Sequence, residues 1–329
     1  MINRIKLYES NSYDPYLNLA TEQYLMETVE EDACILFLWQ NQNTVVIGKN
    51  QNAWKECRTA LLQEEGGFLA RRLSGGGAVF HDLGNLNFTF LVPQAEYDLD
   101  RQFSVIAEAV SLLGLHTERS GRNDVLAEGR KFSGNAFFKH DGKAYHHGTL
   151  LVNVDMDKLT RYLNPSKAKL QAKGVDSVRS RVVNLTELNP DITIHSMKES
   201  MAKAFARVYD APMTVLDDRD FDHAAIEALR QRNSSWQWNY GQKLPFSAEL
   251  EARFSWGGIQ LCLQVDSGII TTAKVYSDAM DWQLPAQIEQ VLQGLRFQKD
   301  IVCGRIADVP TEQAADIAAW LADQWAEVL

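Results

Sequence analysis

Residues 71–82 read Arg71-Arg72-Leu73-Ser74-Gly75-Gly76-Gly77-Ala78-Val79-Phe80-His81-Asp82. Two arginines close an apolar, strand-like run, and three consecutive glycines follow. Without a Cβ, such a turn lets a ligand lie against the backbone and meet its N–H groups. Beside fixed cations, that arrangement suits a phosphate or a carboxylate. The stretch lacks the Lys-Ser/Thr ending of a Walker loop and the spacing of a dinucleotide fingerprint. Neighbouring strand residues point to opposite faces, so one of the two arginines is expected to face inward, toward an anion.

Outward from this loop, the pattern predicts strands over 68–73 and 85–92, and shorter ones over 34–39 and 44–47. The N-terminus reads as a first strand. Asp14-Pro15 supplies an N-cap and a first helical proline, and apolar residues at helical spacing run on to about Val29. Residues 101–113 read as a helix that Gly114 caps. Strands over 130–139 and 143–152 flank His140-Asp141-Gly142, a hairpin-turn signal. Helices are predicted over 157–163, 194–209 and 223–230, and 166–181 is basic and irregular. Strands and helices that do not alternate regularly predict an α+β fold. The polar Pro/Gly-containing stretch near 238–246 divides a large domain, 1–245, from a small α+β accessory domain, 246–329. That domain reads as strands over 251–256, 259–265 and 269–276, a Gly257-Gly258 turn, then two helices over about 285–295 and 311–327.

The chain has 329 residues and a net charge of −10. That balance argues against general binding to nucleic acid or anionic membrane. No apolar run approaches membrane-spanning length, and no signal peptide is read at the start. The four cysteines, Cys34, Cys57, Cys262 and Cys303, are scattered without a Cys-x-x-Cys pair. A zinc site or disulfide framework is therefore not expected, and a reducing cytoplasm fits; a monomer is expected because no second apolar face is evident.

Three further groups could carry chemistry. Gly121-Arg122-Asn123-Asp124 precedes the hairpin, where Asp124 could help hold Mg²⁺ and Asn123 a polar ligand. Alternation along Arg130-Lys131-Phe132-Ser133-Gly134-Asn135-Ala136 places Lys131, Ser133 and Asn135 on one face, opposite Phe132 and Gly134. The return strand carries His146-His147-Gly148-Thr149, of which at most one histidine faces a pocket. Cys57, beside Glu56, has no partner base in its surroundings and reads as structural.

These motifs together resemble the bacterial lipoate–protein ligase A family, within the biotin/lipoyl ligase superfamily. The resemblance rests on Ser-Tyr-Asp-Pro at 12–15, Asn-Leu-Ala at 18–20, Val-Val-Ile-Gly at 45–48 and Trp-Lys-Glu-Cys at 54–57. It continues through 71–82, Ser-Gly-Arg-Asn-Asp at 120–124, Lys131 to Ala136 and His-His-Gly-Thr-Leu at 146–150. Lys-Gly at 173–174, Ser-Val-Arg-Ser-Arg-Val at 177–182 and Asn-Leu-Thr-Glu at 184–187 complete it in order. Arg-Phe-Ser-Trp-Gly-Gly at 253–258 is a weaker match in the small domain.

The resemblance implies a ligase-type sheet sandwich with helices. It also implies ATP-dependent conversion of free lipoate to lipoyl-AMP, then transfer to a lysine of a carrier domain. Such carriers are 2-oxoacid dehydrogenase acyltransferase subunits and the glycine-cleavage H protein. In that reading Lys131 is catalytic. Arg72, Gly77, Ala78, Val79, Phe80, Asn123, Asp124 and Lys131 serve ATP and the adenylate, with Asp124 toward Mg²⁺. Leu19, Arg72, Leu73, Gly76, Gly77, Val79, His81, Lys131 and His147 serve lipoate. Lys173, Gly174, Val175, Ser177, Val178 and Arg179 belong to a lid. The alternatives are an ATP-independent octanoyltransferase or lipoyl amidotransferase using a Cys57 thioester, a biotin ligase, and a non-catalytic lipoyl-domain binder.

Overall fold

The structure is a computed structural model, described for residues 1–120, 124–164, 182–240 and 248–328. Its strands are β1 (Arg4–Glu9), β2 (Ala33–Trp39), β3 (Thr44–Ile47), β4 (Phe68–Arg71), β5 (Val79–His81), β6 (Asn85–Pro93) and β7 (Thr117–Ser120). They continue with β8 (Asp124–Ala127), β9 (Arg130–His140), β10 (Lys143–Leu151), β11 (Met213–Val215), β12 (Ala248–Phe254), β13 (Gly257–Asp266) and β14 (Ile269–Ser277). The helices are α1 (Pro15–Thr28), α2 (Ala53–Glu56), α3 (Thr59–Glu64), α4 (Leu99–Ser111), α5 (Met156–Tyr162) and α6 (Leu185–Leu188). Then come α7 (Ile194–Tyr209), α8 (His223–Ser234), α9 (Trp236–Tyr240), α10 (Leu284–Leu292), α11 (Lys299–Ala307) and α12 (Glu312–Val328).

A mixed eight-stranded sheet runs β11-β1-β2-β6-β10-β9-β8-β7. Helices α4 and α7 bury their apolar stripes on it, through Phe103, Ile106, Val110, Met197, Met201 and Phe205 against Leu36, Phe88, Phe90 and Phe132. A second, three-stranded sheet runs β4-β3-β5 and carries the 71–82 stretch. The α+β class read from the sequence is the class observed.

Local chemistry explains the main elements. Asp14 accepts the N–H groups of Tyr16 and Leu17 and starts α1 at Pro15. The β9–β10 hairpin closes on Asp141 and Gly142, at φ 48° and 71°, the left-handed pair that a two-residue turn needs. The C-terminal strands β12-β13-β14 form their own sheet, packed with α10, α11 and α12 around Leu261, Leu263, Ile288, Val302, Ile317 and Leu321. The expected domain boundary at 245/246 falls within 241–247, outside the described residues. The turn expected at Gly257-Gly258 instead uses Ser255-Trp256, and both glycines open β13.

This C-terminal unit docks on the glycine-rich loop. Gly76 N–H donates to the Ala279 carbonyl at 3.2 Å, and Ser277 N–H to the Asn50 carbonyl at 2.8 Å. Lys49 lies over the Trp282 ring, 3.8 Å from its centroid. A Cβ at Gly75 would stand 2.4 Å from the Ala279 carbonyl oxygen, so only glycine permits this approach. Gly76 sits at φ +87°.

Candidate functional site

A cavity of about 850 Å³ opens between the two sheets. Val46, Arg72 and residues 76–81 line it from the small sheet's side, and Trp39, Asn87, Lys131, Ala136 and His147 from the large sheet's side. Its volume lies within the range of small-molecule sites. The C-terminal unit contributes Arg253, Trp256, Asp278 and Met280 to the lining.

The cavity runs along the β9–β10 pair. Ala136 pairs with His147 across the hairpin. Two residues further along β10, about 7 Å away, Thr149 accepts the Gly134 N–H at 3.2 Å. Gly134 in turn is paired with Asp124 of β8. Lys131 Nζ meets Asp124 Oδ1 at 2.6 Å, with about a fifth of each side chain exposed. One end of the cavity is thus aromatic and the other charged.

The charged end depends on a strand irregularity. Val125 pairs with Ser133 but Leu126 with Lys131, so Phe132 is a bulged residue. Beyond the bulge the alternation shifts. Lys131 shares its face with Gly134, and Ser133 is fully buried. This corrects the expectation that Lys131, Ser133 and Asn135 share a face. A Cβ at Gly134 would lie 3.0 Å from Lys131 Nζ, so the missing side chain leaves room for the lysine.

At the aromatic end, a hydrogen-bond chain that the sequence did not reveal holds the lining rings. Trp39 Nε1 donates to Thr89 Oγ1 at 3.1 Å, and Thr89 donates to Glu22 Oε1 at 2.7 Å. Glu22 Oε1 lies 2.8 Å from His147 Nδ1, and His147 Nε2 lies 2.8 Å from Ser74 Oγ. The carboxylate can only accept, so Nδ1 carries the proton of this bond, and Nε2 and the Ser74 hydroxyl share the other hydrogen bond. Both rings therefore turn their polar atoms into the protein. Ser74, His147 and Glu22 have the connectivity of a nucleophilic triad. Ser74, however, is fully buried, and its Oγ accepts from Arg72 Nε at 3.0 Å. His146, on the opposite face, is buried among Phe88, Phe90, Phe103 and Phe137, and burial holds its imidazole neutral well below the ordinary range.

The arginines differ from expectation. Arg71 donates to the carbonyls of Gly48, Lys49, Gln51, Trp238 and Asn239 at 2.6–3.1 Å. Arg72 donates to those of Val46, Gly75 and Gly77 at 2.7–3.2 Å. Burial pushes both guanidinium groups down to about 10, which leaves them charged at neutral pH. The inward-facing anion ligand read from the sequence is thus a pair of loop staples, although Arg72 does border the cavity. His81 lines it as a neutral ring: burial first, then the charges of Arg72 and His147, push its imidazole down to about 3.

Of the remaining expected residues, Leu19, Gly76, Gly77, Ala78, Val79 and Phe80 line the cavity. Leu73 does not; it packs against the Tyr8, Leu25 and Phe37 core. Asn123 and the lid positions Lys173, Gly174, Val175, Ser177, Val178 and Arg179 lie outside the described residues. Cys57 is buried in the Val45, Ile47 and Tyr162 core, and burial pushes its thiol up to about 12. Such a thiol is not a nucleophile at neutral pH. Among the described residues no group of three or more His, Cys, Asp or Glu could hold a metal by itself. No helix among them is long and apolar enough to cross a membrane.

Residues 14–206 match the family described as Lipoyl protein ligase A/B catalytic domain, and 243–321 match the Bacterial lipoate protein ligase C-terminus. The chain belongs to the lipoyl protein ligase A/B catalytic-domain family. It is similar to P. falciparum LipL1, solved in complex with lipoate, at 27% identity over 97% of this chain and 99% of that one, with a TM-score of 0.85. A bipartite lipoate protein ligase from Thermoplasma acidophilum, solved with its E2 lipoyl domain, is similar at 26% identity over 75% of this chain and 99% of that one, with a TM-score of 0.64. A lipoate-protein ligase A bound with ATP is similar at 25% identity over 73% of this chain and 99% of that one, with a TM-score of 0.63.

Proposed function

We propose that this protein activates free lipoate with ATP and passes the lipoyl group to a lysine of a carrier domain. The observation that carries this reading is a cavity with an aromatic end and the Lys131–Asp124 pair at the other. An amphipathic chain with an acid head suits it. The apolar body lies along Leu19, Val79 and the rings of Trp39, His81 and His147. The carboxylate reaches Lys131.

In the first step a lipoate carboxylate oxygen bonds to the α-phosphorus and pyrophosphate leaves with the electron pair. The backbone of residues 77–80 and Arg72 border the nucleotide. Lys131 balances the negative charge that develops on the phosphoryl and carbonyl oxygens, a contribution made by fixed charge and positioning. In the second step the carrier amine attacks the acyl carbon, AMP leaves, and the same lysine faces the same carbonyl. Asp124 fits the one-carboxylate-plus-phosphates manner of holding Mg²⁺. That ion would supply charge neutralisation on the nucleotide. The lipoate bound by P. falciparum LipL1, the ATP bound by the ligase A and the E2 lipoyl domain solved with the Thermoplasma ligase support this assignment of substrates and partner. The carrier is a lipoyl domain of a 2-oxoacid dehydrogenase or the glycine-cleavage H protein, and the reaction is cytoplasmic. The buried Cys57 disfavours acyl transfer through a thioester.

The test is lipoate-dependent exchange of labelled pyrophosphate into ATP. Exchange that requires lipoate and Mg²⁺, followed by lipoylation of an added carrier domain, is the expected result. Binding of lipoate without exchange overturns the ligase reading and leaves a binder. Acylation of a carrier from an acyl-carrier donor without ATP overturns it in favour of a transferase.

A further inference from the structure

Arg253 belongs to β12 of the C-terminal unit, yet it lines the same cavity as Lys131 and Asp124. Its Nη1 donates to both carboxylate oxygens of Asp278, at 3.0 and 2.8 Å. Asp278 is itself fixed by the Gly258 N–H at 2.6 Å. The guanidinium is therefore gripped at one nitrogen. The edge formed by Nε and Nη2, the fork that matches two phosphate oxygens, is not used by this pair. Nε is buried and has no hydrogen-bond partner among the described residues. A buried cationic N–H without an acceptor is costly, and an arriving anion would relieve that cost.

The position favours a nucleotide. Ala279, next to Asp278, accepts the Gly76 N–H at 3.2 Å, so the ion pair stands beside the glycine-rich loop. Of the other cations of this lining, Arg72 is committed to loop carbonyls and Ser74, and Lys131 is assigned above to the reacting carboxyl and phosphoryl oxygens.

We propose that Arg253 is the C-terminal unit's ligand for the β- and γ-phosphates of ATP and for the pyrophosphate that leaves. This deepens, and rests on, the adenylation reading above. As the carboxylate oxygen bonds to the α-phosphorus, the bond from that phosphorus to the bridging oxygen breaks. The electron pair stays on the bridging oxygen of the leaving pyrophosphate, whose negative charge the Arg253 fork stabilises by donating N–H bonds. The second step involves no pyrophosphate, so Arg253 takes no part in transfer.

Arg253→Met should lower lipoate-dependent exchange about 30-fold and raise the KM for ATP, with transfer from supplied lipoyl-adenylate within twofold of the wild type. Arg253→Lys keeps a cation for Asp278 but loses the planar fork. It should retain the wild-type melting temperature and still lose about tenfold in exchange. Calorimetric titration with inorganic pyrophosphate supplies a readout independent of turnover: binding to Arg253→Met should be at least about tenfold weaker than to the wild type. Equal pyrophosphate binding overturns the proposal. So does a proportional fall of exchange and transfer, which marks a merely structural pair. Wild-type protein that binds pyrophosphate through Arg253 but catalyses no exchange would instead overturn the adenylation reading alone.

Discussion

The two long walls of the cavity carry positive charge in different ways. On the glycine-rich side, Arg72, which lines the cavity, and its neighbour Arg71, which does not, are buried, and their N–H groups are taken by backbone carbonyls and Ser74. On the hairpin wall, Lys131 is partly exposed and held by one carboxylate, Asp124. The first arrangement fixes a loop shape and gives up little to a ligand, because each carbonyl would lose its donor. The second rests on a single ion pair, so an arriving anion can take the place of Asp124 at the lysine without undoing a loop. On the proposed reading, reaction chemistry belongs to the exchangeable wall and shape to the saturated one.

The sharpest way to break this contrast is to remove each cation in turn. Lys131→Met should reduce lipoate-dependent exchange by about 10³-fold, the scale on which a fixed charge at a reacting oxygen acts. Its melting temperature should stay near that of the wild type, because only the Asp124 pair is lost. A melting loss matching the rate loss would make Lys131 another structural cation. Arg71→Met should do the reverse. It leaves five carbonyls that join the 48–51 loop, β4 and α9 without their donor. A cost of about 4 kcal/mol in urea unfolding is expected. If that variant kept its stability and lost only exchange, Arg71 would belong to the chemistry after all.

A smaller change sharpens the hairpin side. Gly134→Ala places a methyl group 3.0 Å from Lys131 Nζ and 3.1 Å from Cε, and 3.8 Å from Thr149 Oγ1. The nearest atoms are the free end of a flexible side chain, so the fold can yield by moving the lysine. Exchange should fall about tenfold through misplacement of that amine, with unfolding free energy changed by less than about 1 kcal/mol. Unchanged exchange would show that Lys131 acts from some other rotamer.

The contrast also explains what could be read in the residues alone. Elements fixed by local chemistry were legible: Asp14-Pro15 opening α1, Asp141-Gly142 closing the hairpin, and the helix over 194–209. So was the grouping of 71–82 with Lys131, which line one cavity, and so were the three strands beyond residue 247. The bulge at Phe132 was not, because a period-two pattern carries no mark of an inserted residue. The saturation of Arg71 and Arg72 was not, since a residue type announces its donors but not the carbonyls that will meet them. Glu22 lay within a helical pattern as one more polar residue; its partners His147 and Thr89 are 125 and 67 positions away. Helix α11 was missed because it is short and holds Gly304 in its interior.

The last and smallest effect concerns a group locked in one charge state at the end of the saturated wall. His81 is buried beside Arg72, and its imidazole is pushed from the ordinary 6.5 down to about 3. In the unfolded chain this residue takes up a proton as pH falls through about 6.5, while in the folded protein it stays neutral. The unfolded state thus binds more protons between these values, and stability must fall as pH drops through that window. Between pH 7.5 and 5.0 the His81 contribution to this loss is about 2 kcal/mol. His81→Gln, which retains an acceptor for Asn41, should therefore lose about 2 kcal/mol less than the wild type over the same interval in urea unfolding. An equal loss in both proteins would mean that His81 protonates freely in the folded state. The glycine-rich wall would then hold a titratable group, and the division between a saturated wall and an exchangeable one would no longer stand.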